Sequence, residues 1–192
     1  MGALDGKVCW VTGSSRGIGA AIARRFAREG ARVALHGRDE AALAAVQAEV
    51  RADACVVGDV TRLADVERMH AEIESRLGPL DVLVLNAGGS LAPPANIEET
   101  TEDLWNATLA LNLTSAFLAL KVVLPGMKTR RAGNVITVSS AAARRLGAYS
   151  PIPYAAAKAG LQVLTQDVAS QVGAHGIRVN CIAPETILTE RN

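Results

Sequence analysis

Val8-Cys9-Trp10-Val11-Thr12-Gly13-Ser14-Ser15-Arg16-Gly17-Ile18-Gly19 sets the pattern of the chain: four apolar residues, three glycines spaced Gly-x-x-x-Gly-x-Gly, then a helical period. A short apolar run bounded by glycine reads as a buried strand, and the glycines as a turn leading into a helix. Such a turn brings backbone N–H groups and a helix N-terminus to an anion with no Cβ in the way, which suits a diphosphate. The plain alternative is a tight turn without a ligand. The strand before it and the helix after it supply the context that a dinucleotide motif requires.

The alternation repeats along the chain. Apolar runs at 32–35, 54–57, 82–85, 134–138 and 178–182 are separated by helical periods beginning near Ile18, Glu40, Arg62, Glu102 and Tyr154, with Thr61 and Thr101 placed as N-caps. Strands apolar along their whole length, alternating with amphipathic helices, predict an α/β, doubly wound parallel sheet covered on both faces. Residues 1–192 read as one domain with no internal repeat or linker. Ligands bind such a sheet beyond the C-terminal ends of its strands, which singles out 13–19, 37–39, 58–61, 86–89, 139–153 and 184 onward.

Composition narrows the function. The 192 residues are 49% hydrophobic, enough for one sizeable core, and 20 basic against 19 acidic side chains leave a formal charge of +1. No block of like charge favours nucleic acid or an anionic membrane surface, so a small molecule is the expected partner. No run of about 18 apolar residues and no signal-peptide core at the start stand out, which predicts a cytoplasmic protein. Cys9, Cys55 and Cys181 are unpaired by spacing and predicted to be buried reduced thiols. His36, His70 and His175 are scattered without metal-ligand spacing and read as solvated or incidental, while Trp10 and Trp105 read as packing.

One further pair carries chemistry. Tyr154 and Lys158 are four apart, so on a helix a phenol and an ammonium share one face. A cation beside a phenol favours phenolate, which equips the tyrosine to exchange a proton with a carbonyl or alcohol oxygen. By itself the spacing is equally that of an ordinary surface pair.

The glycine turn at 13–19, Asn86-Ala87-Gly88 after the fourth strand and Tyr154-x-x-x-Lys158 come in an order that resembles the short-chain dehydrogenase/reductase family, over about 7–184. Within it the chain looks like the 3-oxoacyl-[acyl-carrier-protein] reductase-like branch. The resemblance implies a Rossmann-type fold and assigns roles. Tyr154 donates or accepts the substrate proton, and Lys158 favours its phenolate and holds the nicotinamide ribose. Ser140 orients the reacting oxygen, with Ser139 as the near competitor. Asn112 interrupts a helix and holds a water in a proton relay, or is simply a satisfied core amide at a helix junction. Gly13, Ser15, Arg16, Gly17, Ile18 and Gly19 meet the diphosphate; Asp59 and Val60 frame the adenine; Asn86, Ala87 and Gly88 line the ribose and central sheet. Pro184 and Ile187 belong to the segment that meets the nicotinamide end, where Glu185 stands in place of the family's usual glycine.

The choice of dinucleotide turns on Gly37-Arg38-Asp39. An NAD enzyme places a carboxylate here for the ribose 2′-OH, whereas Arg38 with Arg16 suits a 2′-phosphate, so NADP(H) is favoured over NAD(H). Asp39 is the competing ribose acceptor, although it also fits as the N-cap of the helix at Glu40. The reading is an NADPH-dependent carbonyl reductase in which a tyrosine protonates the reduced ketone, with 3-oxoacyl thioesters as the most specific substrate class. The alternatives are an NAD(P)-dependent alcohol or sugar dehydrogenase and, from a different class, a non-catalytic dinucleotide-binding regulatory or scaffold protein. The resemblance also implies a homodimer or homotetramer, with Leu113, Ala116, Phe117 and Leu120 as an apolar face that serves equally well as intrachain core. The family's pattern continues past Asn192, so the sequence is expected to lack a C-terminal lid and last strand.

Overall fold

Val8–Val11 forms β1, with all four side chains buried, and the rest of the sheet is built outward from it. In this computed structural model residues 2–144 and 151–189 are described; residues 145–150 of the expected ligand loop at 139–153, and 190–192, lie outside the described residues. The other strands are β2 (Arg32–Gly37), β3 (Ala54–Val57), β4 (Val82–Leu85), β5 (Gly133–Val138) and β6 (Ile177–Ile182). All pairs are parallel and the order is β3-β2-β1-β4-β5-β6. β1 therefore lies between β2 and β4, with Cys9 opposite both Val33 and Val82. The direction of winding reverses at that point and leaves a crevice at the strands' C-terminal ends.

Helices α1 (Gly17–Arg28), α2 (Glu40–Val50), α3 (Leu63–Leu77), α4 (Glu102–Leu109), α5 (Ser115–Arg130) and α6 (Ile152–Val172) cover the two faces. On one face Trp10, Leu83 and Val135 pack with Met69 and Ile73 of α3, Val123 and Met127 of α5 and Leu161 of α6. On the other, Val33 and Leu35 pack with Ala20 and Ala23 of α1 and with Leu43 and Val46 of α2. The strands carry apolar residues at successive positions because both faces are covered.

The caps test the local reading. Thr101 caps α4, accepting from the Leu104 N–H at 3.2 Å. Asp39 caps α2, accepting from the Ala42 N–H at 3.1 Å. Thr61 does not cap α3, which starts at Leu63 behind Arg62. Its hydroxyl donates to Asp59 Oδ1 at 2.8 Å, in a local turn that ends before the helix begins.

The helical run at 102–130 contains a π turn, Ala110–Thr114, between α4 and α5. It is long and apolar enough to cross a membrane by length and composition, with an 18-residue stretch of mean hydropathy 1.8, although its apolar residues are interrupted by polar ones. The hydropathy averages over Thr108, Asn112 and Ser115, polar side chains that are buried but bonded to neighbouring backbone. Ala116, Ala119, Leu120, Val123 and Met127 lie in the core. Of the expected apolar contact face, Ala116 and Leu120 are thus intrachain core, Leu113 packs against Gly160 of α6, and Phe117 is 49% exposed.

Among the cysteines only Cys9 is fully buried. Burial, with the Asp81 carboxylate nearby, pushes its thiol up to about 12. Cys55 and Cys181 are partly exposed, which corrects the expectation that all three lie inside. Both sit on strands, Cys55 packed against the edge of the core around Val33 and Leu35, and all three are free thiols.

Candidate active site

The glycine turn follows β1 directly. Gly13 has φ +64, and a Cβ there would lie 2.9 Å from Ala87 Cα, so the turn presses on the loop after β4. A Cβ at Gly19 would run into the Gly13 carbonyl oxygen. Gly17, with φ +55, faces only Thr189 at 3.7 Å. The turn leads with little side-chain bulk to the N-terminus of α1, an arrangement suited to an anion such as a diphosphate.

Thr12, which sequence reasoning passed over, ties the turn to β4. Its buried hydroxyl donates to the Val84 carbonyl at 3.1 Å and accepts from the Asn86 and Ala87 N–H groups, each at 3.0 Å. Asn86 returns the contact, its side-chain amide donating to the Thr12 and Gly13 carbonyls at 3.0 Å. The Asn-Ala-Gly stretch thereby aligns the ends of the two central strands.

Beyond β2, Gly37 is buried, and a Cβ there would lie 3.3 Å from both Ser15 Cβ and Leu43 Cγ. Arg16 of the turn and Arg38, which follows β2, are both exposed. Burial opposes the Asp59 carboxylate, but the Thr61 amide and hydroxyl, with Arg38 and Arg62, outweigh it and hold the group below its ordinary range. Val60, next to it, is buried in the core.

The proposed reacting centre is assembled from the ends of β4 and β5, the π turn and the start of α6. Lys158 is 3% exposed; its Nζ donates to the Val138 carbonyl at 2.8 Å and lies 5.7 Å from the Tyr154 ring centroid. Burial drives this ammonium down to about 8 from 10.5, with Cys181 acting in the opposite direction. An ammonium has three N–H donors, of which Val138 occupies one among the described residues. Tyr154 is partly exposed on the first turn of α6.

The two serines separate cleanly. Ser139 is buried, donating to the Lys158 carbonyl at 2.8 Å and accepting from the Gln162 amide at 3.1 Å. It fastens β5 to α6. Ser140 is partly exposed and, among the described residues, makes a local contact, accepting from the Ala142 N–H at 3.2 Å. Of the pair, Ser140 is the one whose hydroxyl proton meets no acceptor among the described residues.

Asn112 is 1% exposed and its amide is almost fully occupied. Oδ1 accepts from the Gly89 N–H at 2.9 Å, and Nδ2 donates to the Gly89 and Thr108 carbonyls, both at 2.9 Å. The side chain is the satisfied core amide at a helix junction, with one lone pair of Oδ1 left over. A Cβ at Gly88 would meet Asn112 Oδ1 at 2.7 Å and Lys158 Nζ at 3.1 Å, so both groups converge on that glycine. Pro184 lies against the end of β5, its carbonyl accepting from the Ala141 N–H at 2.9 Å, while Glu185 and Ile187 are exposed.

His36 corrects the reading of the histidines as solvated or incidental: it is 3% exposed, between the glycine turn and the loop after β3. The Gly13 N–H donates to its Nδ1 at 2.9 Å, and Nε2 lies 3.1 Å from the Gly58 carbonyl oxygen. A strand position alternates faces without saying which neighbours a polar side chain will find, so no local signal marked it. His70 lies 3.6 Å from Glu74 on α3, at a distance from this site along the chain and in the fold.

The profile of the short chain dehydrogenase family matches residues 7–192, and the chain belongs to that family. It is 39% identical over 190 residues to L-fucose dehydrogenase of Rattus norvegicus, covering 98% of this chain and 69% of that protein. It is also 39% identical over 186 residues to sorbitol dehydrogenase of Cereibacter sphaeroides, covering 96% and 72%. The crystal structure of levodione reductase superposes with a TM-score of 0.92 at 34% identity, covering 97% of this chain and 74% of that one. The family is one of oxidoreductases acting between alcohol and carbonyl with a nicotinamide dinucleotide, and the protein is therefore an NAD(P)-dependent oxidoreductase whose substrate is a small molecule.

Proposed function

We propose that the protein oxidises a secondary alcohol or sugar hydroxyl, with Tyr154 as the proton acceptor. The observation that carries this is the buried Lys158 ammonium, fixed on the Val138 carbonyl 5.7 Å from the Tyr154 ring, on the same edge of the sheet as the glycine turn. The names of the relatives, L-fucose and sorbitol dehydrogenases, support the sugar or alcohol reading over the reduction of 3-oxoacyl thioesters to which the sequence alone leads. Reduction of a small ketone is the same chemistry reversed, and the likeness to levodione reductase supports it as a second reading.

The residues divide the work. Ser140 donates a hydrogen bond to the substrate oxygen and fixes its orientation. The Tyr154 oxygen takes the hydroxyl proton, and Lys158 stabilises the phenolate that receives it. Bound dinucleotide would supply the hydride acceptor. Ser15 to Gly19 and the α1 N-terminus would hold its diphosphate, Asn86 to Gly88 its ribose side, and Asp59 and Val60 its adenine. Asn112 fixes the loop at Gly89 and so the floor beneath Lys158. NADP is favoured over NAD because Arg16 in the turn and Arg38 after β2 are exposed cations, Gly37 carries no carboxylate, and Asp39 is committed to capping α2.

The test is a panel of L-fucose, sorbitol and simple secondary alcohols with NAD+ or NADP+, read by formation of reduced nicotinamide. Oxidation of a sugar or alcohol, lowered at least about a hundredfold by Tyr154→Phe with the fold intact, is the expected result. Reduction of 3-oxoacyl thioesters without oxidation of any alcohol would reverse the choice. Replacing Arg38 by Ala is expected to lower kcat/KM for the NADP couple about tenfold or more relative to the NAD couple.

A further inference from the structure

We infer that His36 is a positioning residue of the dinucleotide turn, its neutral ring accepting the Gly13 N–H and so fixing the backbone path on which the diphosphate would rest. The inference depends on the glycine turn being the diphosphate site, as proposed above. The geometry is continuous from the glycine turn through β2 to the loop after β3. Gly13 donates to Nδ1 at 2.9 Å; the Ser14 N–H donates to the His36 carbonyl at 2.8 Å; the His36 N–H donates to Ser14 Oγ at 2.9 Å. On the far side of the ring, Nε2 faces the Gly58 carbonyl at 3.1 Å, next to Asp59.

A ring that accepts at Nδ1 and faces a carbonyl at Nε2 has one protonation state that satisfies both, neutral with the proton on Nε2. The first two N–H groups of the turn are thus consumed by His36, and the ligand is left to the residues that follow. Gly13 has no slack to absorb a loss of this bond, because it is held at positive φ with Ala87 against it. His36 also joins the diphosphate turn to the loop of Asp59 and Val60, so both ends of the adenosine site share one anchor.

From the loop after β3, the Gly58 carbonyl and then Asp59 favour protonation; from just past the end of its own strand, Arg38 opposes it; from the turn, the ring meets the Gly13 amide, with Ser14 on its backbone. Burial outweighs these and holds the ring below the ordinary histidine range. Once protonated, Nδ1–H would oppose the Gly13 N–H, donor against donor, and the turn would have to move.

Two substitutions separate this role from general packing. In His36→Asn the side-chain oxygen takes the place of Nδ1 as acceptor, whereas in His36→Gln the amide reaches toward Gly58 and leaves Gly13 without a partner. Dissociation constants for NAD+ and NADP+, measured by calorimetry near pH 7, are expected within about threefold of the parent for Asn and weakened about tenfold or more for Gln. Acidification should weaken binding to the parent in step with ring protonation followed by nitrogen-15 spectroscopy, and the Asn variant should lack that component. Equal binding by Gln and parent, or Asn as weak as Gln, would overturn the inference. So would a ring that carries its neutral-pH proton on Nδ1, a result obtained on the parent whether or not the variants fold. A parent that binds neither dinucleotide would sink the reading of the turn itself, a separate outcome.

Discussion

Lys158 sets the energetics at the residue scale. Its fall from 10.5 to about 8 corresponds to roughly 3 kcal/mol against the charged form, caused by burial. Below about pH 8 both folded and unfolded chains carry the proton, and the folded state bears the cost in full. Between about 8 and 10.5 the unfolded chain still binds a proton that the folded chain has released, so the cost is relieved as pH rises. Lys158→Met is therefore expected to be no less stable than the parent near neutral pH while its kcat falls about a hundredfold or more. Denaturant unfolding should show the parent gaining on the variant as pH rises through that window. His36 acts in the acid range. Its ring titrates below the usual histidine value because it is buried, so under about pH 6.5 the unfolded chain takes up a proton that the folded one refuses, and stability declines. A Tm series from pH 7 to 5 in the parent and in His36→Asn should give the shallower slope for the variant.

At the scale of elements, the π turn shows how one amide fixes a junction. Asn112 bonds both the N–H and the C=O of Gly89, as a neighbouring strand would, and holds the Thr108 carbonyl as well. Asn112→Leu leaves those groups unpaired in a buried place, and a loss of about 2–4 kcal/mol in unfolding free energy is expected. Asn112→Asp should also destabilise, since a carboxylate accepts the Gly89 N–H but donates to neither carbonyl. The sequence made Asn112 conspicuous, an amide in an apolar helical stretch, but not its partners, because Gly89 is 23 residues away. The serine pair teaches the same lesson. Spacing alone left Ser139 and Ser140 in competition, and only the packing of α6 on β5 shows that Ser139 is committed to Lys158 and Gln162.

The whole molecule is a sheet sealed on both faces, and its outer helices carry apolar residues that no intrachain layer covers. Phe117 on α5 and Val163 on α6 are 49% and 57% exposed. We propose that these helices meet a second copy of the chain. Sedimentation should give a dimer or tetramer for the parent and a smaller species for Phe117→Asp, a charge being costly to bury in an apolar contact. In the core, Leu83 is fully buried on β4 between β1 and β5, and Leu83→Ala is expected to cost about 2–5 kcal/mol in denaturant unfolding.

The sequence by itself determined the strand and helix alternation, the parallel class of the sheet, the glycine turn and the Tyr154–Lys158 pair, because each is written in residues close along the chain. Strand order placed Thr12 against Asn86 and Ala87, and His36 against Gly13 and Gly58, and those contacts only the tertiary structure decided. A buried polar side chain takes whichever partner the fold brings within about 3 Å, and that partner comes from another strand or loop. His36 therefore looks like an incidental histidine in one dimension and becomes an anchor of the dinucleotide turn in three.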